Sequence, residues 1–434
     1  MLWAVYQVAF AAGFALLSPY FFWRMARRGG YWARFEERFG RHRADVRARL
    51  ASGPRPVWIH AVSVGEMQVA AAIAEEWRRR APEVRFVFSM TTPTGRRIAE
   101  CRAGSADVVI YYPIDFPGFV RRALDAVRPR ALVLCEGELW PNMIRACARR
   151  GVPVAVVNGR VSDRSWPRYR HVRFLTRRLL PCLRRWLGQS LEDAQRIRDL
   201  GAPPEVVEVV GSAKYDVAPP DSAATATLRD ELRRRGFSAG TIWLVGGSTW
   251  PGEEAALWRV TRRLRDRHPA LRLLVVPRHA ERGRVVADEL RRLGASLYRR
   301  SSDQTDTPTP DVALFDTTGE LAAVYGLADI VFVGKSLTCA GGQNPIEPAR
   351  WGRPILCGPR MENFRAIVED FRAAEAIRVV TDERELADAV AAWLDDPAAR
   401  TAAGLRALEV VLRNAGAISR TVDRLTALGS SDAP

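Results

Sequence analysis

Between Val57 and Val380 the chain repeats one pattern: a short unbroken apolar run, then a stretch with helical spacing. The runs VWIHAVS, VRFVFSM, DVVIYYP, ALVLCEGE, PVAVVNGR and EVVGSAK form a first series. After the Pro- and Ala-rich stretch Val217 to Thr227, TIWLVGGS, LRLLVVPR, DVALFD, DIVFVG, PILCGP and AIRVV form a second. Runs that are continuously apolar, rather than alternating, belong to strands buried on both faces, as in parallel sheets covered by helices. Two such series joined by a linker predict an α/β chain of two Rossmann-like domains facing across a cleft. A length of 434 residues with 47% hydrophobic content is ample for two cores. The final helical segment, Pro397 to Leu428, is expected to pack back across the join, and Ser301 to Pro310 to be loop. The expected division is 1–28 for a membrane-anchoring helix and its basic flank, 29–213 for the first domain, 214–404 for the second, and 405–434 for the returning helix.

Leu2 to Trp23 contains no charged residue and is about as long as the ~20 residues a bilayer-spanning helix needs. Arg24, Arg27 and Arg28 follow it, whereas a signal peptide carries its positive charge first. A membrane helix with the body of the chain in the cytoplasm is therefore expected. Gln7, Ser18 and Pro19 interrupt the apolar run and keep a monotopic or re-entrant helix open as the alternative. The formal net charge of +17 implies an anionic partner, an acidic membrane surface or a phosphorylated ligand among them. Nearly all of that basicity is arginine, since lysine occurs only at Lys214 and Lys335. The charge is dispersed and no nucleic-acid-binding motif accompanies it, so no nucleic-acid partner is expected. Six scattered cysteines without a CxxC fit reduced thiols.

In open α/β sheets ligands bind at the carboxyl ends of strands. Glu66, in HAVSVGE, falls where a strand stops and a helix begins; Ser63-x-x-Glu66 is a capping box, and an acid there also suits the helix dipole. Glu136 and Glu138, in CEGELWPN, end another strand, where carboxylates are costly unless paired or used. Lys214 stands at the junction of the two series. In the second half, Gly246-Gly247-Ser248-Thr249, Arg278 with His279, Asp316 to Glu320, and Asn344 to Pro348 are strand-end loops. Taken singly, each reads as ordinary turn or helix-start chemistry. Four such loops in one half of the chain, all at strand ends, are less easily dismissed. Neither GxGxxG after a strand nor a P-loop occurs, which counts against a nicotinamide dehydrogenase or a P-loop NTPase. No HExxH, Cys/His cluster or strand-end Asp-x-Asp is present, so no metal is expected.

Read in order, HAVSVGE, CEGELWPN, NGRVSDRSW, GSAKYD, GGSTWPGEE, PRH, TGE, GGQNPIEPA and GPRMENF resemble the 3-deoxy-D-manno-octulosonic acid (Kdo) transferase family. The resemblance implies a GT-B fold of two Rossmann-like domains behind an N-terminal hydrophobic helix, at the cytoplasmic side of the bacterial inner membrane. It implies inverting, metal-independent transfer of Kdo from CMP-Kdo to a lipid A precursor, with no cofactor. It matches Glu66 to the general base, and Glu136 and Lys214 to transition-state stabilisation. Pro277, Arg278, the run Thr318-Gly319-Glu320 and the run Asn344-Pro345-Ile346-Glu347 match the CMP-binding segments. Gly137, Ser212, Trp250 and Gln343 depart from the family's commoner residues, which bears on fine donor and acceptor preference. A nucleotide-sugar epimerase and a non-catalytic nucleotide-sugar binding protein of the same fold are the alternatives; the N-terminal helix argues against the first, and the intact acid, base and lysine positions against the second.

Overall fold

The computed structural model describes residues 2–28, 32–163, 165–216 and 222–429, and divides the chain into two compact units. The first comprises Met1–Val217 with Ala415–Pro434, and the second Ala218–Asn414. Part of the expected linker, 217–221, and the side chains of Arg24, Arg27 and Arg28 lie outside the described residues.

Unit 1 is built on a seven-stranded parallel sheet in the order β3-β2-β1-β4-β5-β6-β7. Its strands are β1 Val57–His60, β2 Phe86–Met90, β3 Val108–Tyr111, β4 Ala131–Cys135, β5 Val154–Gly159, β6 Arg185–Gly188 and β7 Val207–Val209. The lack of alternation in the sequence has a direct cause. Trp58, Leu132, Leu134 and Val156 face one buried cluster, while their neighbours Ile59, Val133 and Val157 face another on the opposite side. Strand β6 is not among the runs read from the sequence, because its Trp186-Leu187 core is only two residues long and follows two arginines. Its indole needs the room that glycine leaves: a Cβ at Gly159 would come within 2.7 Å of the Trp186 ring, and one at Gly188 within 2.3 Å.

Unit 2 holds an eight-stranded sheet in the order β11-β10-β12-β9-β8-β13-β14-β15. These are β8 Ile242–Thr249, β9 Leu271–Pro277, β10 Leu297–Arg299, β11 Gln304–Thr305, β12 Val312–Leu314, β13 Ile330–Val333, β14 Ile355–Cys357 and β15 Ile377–Val379. Only the short β11 runs antiparallel, within the segment expected to be loop. Leu244, Leu273, Val275, Leu314, Phe332 and Leu356 build the core on one face of this sheet.

The last helical segment is two helices, Pro397–Asn414 and Ala417–Gly429, parted at Gly416, whose φ of 89° ends the first. The first belongs to unit 2 and the second to unit 1. Ile418, Val422, Leu425 and Leu428 pack with Met67, Ile73 and Trp77 of helix Val64–Arg80. Arg80 donates to Ser419 Oγ at 2.6 Å, and Arg424 pairs with Glu208 at 2.7 Å. Asp216 accepts the N–H groups of Gly416 and Ile418, fastening the chain's return to unit 1.

Candidate active site

Helix Val64–Arg80 begins where β1 ends, and Ser63 caps it by accepting the Glu66 N–H at 3.2 Å. A cap of this kind is worth roughly 1 kcal/mol. Glu66 reaches back one residue beyond the cap, its Oε2 accepting the Val62 N–H at 2.8 Å. The side chain is thus held by the Val62 backbone, and Glu66 is 8% exposed. Burial pushes its pKa up; the Val62 N–H opposes the shift and the negative charge of Glu136 adds to it. A carboxylate so placed is a better proton acceptor than an exposed glutamate.

Glu136 follows β4 in a left-handed conformation, φ 58°, which a residue with a Cβ adopts at a cost. Its N–H continues the ladder to Val157 O at 2.9 Å, so the turn begins immediately after the sheet hydrogen bond. Glu138, two residues on, is half-buried, and burial with the charges of Glu66 and Glu136 raises its pKa to about 7. Lys214 lies in a single turn of 3-10 helix, Ala213–Asp216. Burial lowers its pKa, while Glu136 and Glu66 pull it back up and Arg160 pushes it down. The structure therefore brings Glu66, Glu136 and Lys214 close enough to feel one another's charge. Sequence reasoning did not single out the residue that seats this lysine. Asn158, left-handed at φ 51° and 2% exposed, accepts the Ala213 N–H at 3.1 Å through its side chain. The dipeptide Asn158-Gly159 was the available signal, since Asn tolerates that conformation best.

In unit 2 Pro277 ends β9, and the Arg278 N–H bonds Thr249 O at 3.1 Å. Asn344 is folded on its own turn: Oδ1 accepts the Ile346 N–H at 3.1 Å and Nδ2 donates to Glu347 Oε1 at 3.3 Å. Burial raises the Glu347 pKa, with Asn344, Arg278 and Arg350 opposing. Arg278 and Asn344 to Glu347 thus form one group. Thr318-Gly319-Glu320 has a different set of partners. Arg300 donates to Glu320 at 2.8 Å and 3.2 Å and also pairs with Glu231; burial alone would raise the Glu320 pKa, but Arg300 and Thr317 hold it below the ordinary value. Its carboxylate is engaged by protein rather than open.

A further carboxylate organises this rim. Glu253, fully buried at the start of helix Glu253–Leu264, accepts the N–H groups of Trp250, Lys335, Ser336 and Leu337 at 2.9, 2.8, 2.9 and 3.0 Å. It ties the loop after β8 to the loop after β13. Lys335 is left-handed, φ 56°, and its Nζ sits 4.8 Å from the Trp250 ring centroid. Its carbonyl accepts the Gly342 N–H at 2.8 Å, carrying the tie on to the Asn344 turn. The acidic Glu253-Glu254 pair was visible in the sequence, but its partners were not.

Residues 33–217 match the family model described as 3-deoxy-D-manno-octulosonic-acid transferase (kdotransferase). The 3-deoxy-D-manno-octulosonic acid transferase of Bordetella pertussis is 36% identical over 432 residues, covering 97% of this chain and 98% of that one. That of Haemophilus influenzae is 33% identical over 382 residues, covering 86% and 87%. Among solved structures, UDP-GlcNAc 2-epimerase from Neisseria meningitidis superposes with a TM-score of 0.59 at 12% identity over 86% of this chain and all of that one. The Anabaena protein HepE in complex with UDP gives 0.58 at 13% identity, with the same coverage. At such identity these two speak to the fold alone, which is of GT-B type. Near-complete coverage at about a third identity settles the family: the chain belongs to the 3-deoxy-D-manno-octulosonic acid transferases and is a glycosyltransferase.

Proposed function

We propose that the chain transfers Kdo from CMP-Kdo to a lipid A precursor at the cytoplasmic face of a bacterial inner membrane, with inversion and without a metal. The observation that carries this reading is Glu66: a buried carboxylate at a strand end, anchored by the Val62 N–H and raised in pKa. Glu66 takes the proton of the acceptor's sugar hydroxyl as that oxygen attacks the anomeric carbon of Kdo, and CMP leaves from the opposite side. Positive charge develops on the sugar and negative charge on the departing phosphate. Glu136 stabilises the first and Lys214 the second, each in surroundings drier than water. Pro277, Arg278, Thr318-Gly319-Glu320 and Asn344 to Glu347 supply the CMP-binding segments. Arg278, exposed at the end of β9, carries a phosphate contact in this scheme, whereas Glu320 reaches a ribose only by sharing its bonds to Arg300. The uncharged stretch Leu2 to Trp23 of the N-terminal helix keeps the enzyme at the bilayer where its acylated acceptor resides.

The test incubates purified protein with CMP-Kdo, generated in situ, and a tetra-acylated lipid A precursor, and reads the lipid by mass spectrometry. A product carrying added Kdo is expected. Glu66→Gln is expected to lose transfer by 10²- to 10⁴-fold, the usual worth of a general base, while still binding CMP-Kdo. Full activity in that variant removes Glu66 as the base. No added sugar with the wild-type protein, beside a control transferase that works, rejects the donor and acceptor assignment.

A further inference from the structure

The N-terminal helix Leu2–Arg28 is docked on unit 1 along one face. Trp3 carries Arg145 over its ring at 3.9 Å, Tyr6 donates to Asp115 Oδ2 at 3.3 Å, Gln7 and Asn142 exchange side-chain hydrogen bonds, and Phe10 and Phe14 pack on Phe116 at centroid distances of 5.1 and 5.4 Å. Asp115 is itself fully buried and takes the Asn142 and Met143 N–H groups at 2.9 Å each, so the polar dock is preorganised. From Trp3 to Phe14 these contacts hold about 16 Å of helix at 1.5 Å per residue. The apolar stretch left beyond them, Ala15 to Trp23, rises only about 13 Å, less than half the ~30 Å hydrocarbon core. A helix crossing the bilayer would have to abandon the dock. The face turned away from unit 1 is apolar and open to solvent: Val5 is 61% exposed, Val8 70%, Leu16 80% and Trp23 53%.

Beside the dock, in the groove between helices Pro117–Val127 and Pro141–Arg149, lies a cavity of about 320 Å³ lined by Arg121, Arg149 and Arg150. Asn142, which holds Gln7, lines it too. A second cavity of about 500 Å³ continues from Arg150 to Arg55 and Arg128, with Asp125 as the single carboxylate among its lining residues. The basic groove thus opens beside the docked face of the helix, and Asn142 is common to both.

We propose that this surface is a phospholipid-binding site: the helix lies in the plane of the membrane interface, and the Arg121/Arg149 pocket takes the phosphate of an anionic phospholipid headgroup beside it. The charge complements an anionic leaflet, and the open apolar face of the docked helix has its counterpart in the acyl boundary. The inference rests on the membrane reading above and adds the helix's orientation and a lipid other than the acceptor.

The full-length protein is tested by flotation with vesicles of phosphatidylcholine alone and of phosphatidylcholine with phosphatidylglycerol. Each arginine near an anionic surface contributes about fivefold in partitioning, so Arg121→Gln/Arg149→Gln is expected to bind mixed vesicles on the order of thirtyfold more weakly. Its binding to phosphatidylcholine and its transfer to a detergent-dispersed acceptor are expected to equal wild type. Wild-type preference for the mixed vesicles in the double variant overturns the pocket, and a raised KM for the dispersed acceptor reassigns it to the acceptor. In spheroplasts expressing Ala4→Cys, a membrane-impermeant maleimide is expected to label position 4 only after lysis, as it does the exposed native Cys101. Labelling at position 4 before lysis overturns the in-plane helix. Failure of the wild-type protein to float with either vesicle rejects the membrane reading itself.

Discussion

Glu253 offers a prediction whose size follows from its bonds. Its two oxygens accept four backbone N–H groups, Oε1 from Ser336 and Leu337 and Oε2 from Lys335 and Trp250. In Glu253→Gln one oxygen still serves two of them, while the amide nitrogen that replaces the other meets two donors with a third. Two charge-assisted bonds are lost, at about 1.5–3 kcal/mol each, for a total of about 3–6 kcal/mol. Guanidinium denaturation followed by tryptophan fluorescence measures that loss as a lower transition midpoint. The loosened loop carries Lys335, whose carbonyl positions Gly342 ahead of Asn344 to Glu347, so CMP affinity is expected to fall at least about tenfold by calorimetric titration. Glu253→Ala, which orphans all four donors, should be worse on both counts. Destabilisation below about 1 kcal/mol in Glu253→Gln, with CMP affinity unchanged, would refute the clamp.

As the proposed base, Glu66 would make transfer pH-dependent with a definite sign. Its raised pKa leaves the protonated, inactive form populated above the ordinary carboxylate range, so kcat/KM is expected to rise with pH through that pKa, and a pH–rate profile without this limb contradicts the base assignment. His60 acts on stability instead. Buried against Tyr112, with Nδ1 3.0 Å from Ser89 O, it stays neutral, and burial lowers its pKa to about 3. A depressed histidine contributes stability that is whole above its unfolded pKa near 6.5 and is lost as pH falls from there towards 3. Between pH 6.5 and 4 that amounts to roughly 3 kcal/mol, and a His60→Asn variant whose stability declines as steeply as wild type over this range sinks the claim. Gly159→Ala drives a methyl into the Trp186 ring and is expected to cost about 1–3 kcal/mol, read as a lowered melting temperature.

What the sequence reveals follows from the range of the interactions concerned. Most strands were legible because both faces are buried, which writes itself as an unbroken apolar run; β6 escaped because two residues between polar flanks carry too little of that signal. The Glu66 cap was legible because Ser63 lies three residues away. The left-handed turn at Glu136 was not, since glutamate is a poor marker for that conformation and only the end of β4 requires it. Glu253 shows the general difficulty: the Trp250 N–H is local, but its other three donors come 82 to 84 residues later in the chain. Asn158 and Ala213 are 55 residues apart and were hidden for the same reason.

The division of unit 1 into two stretches of sequence sets an order of events during synthesis. Helix Val64–Arg80, which bears Glu66, finishes its buried face with Ile418, Val422, Leu425 and Leu428, made only after the whole of unit 2. At 5–20 residues per second the ribosome takes about 20 to 70 s to travel from the one helix to the other. Throughout that interval the nascent chain presents an uncovered apolar groove behind the residue proposed to start the chemistry. Chains released early, before Gly416, carry that groove permanently, so premature termination near the end of the message strikes the fold of the part made first.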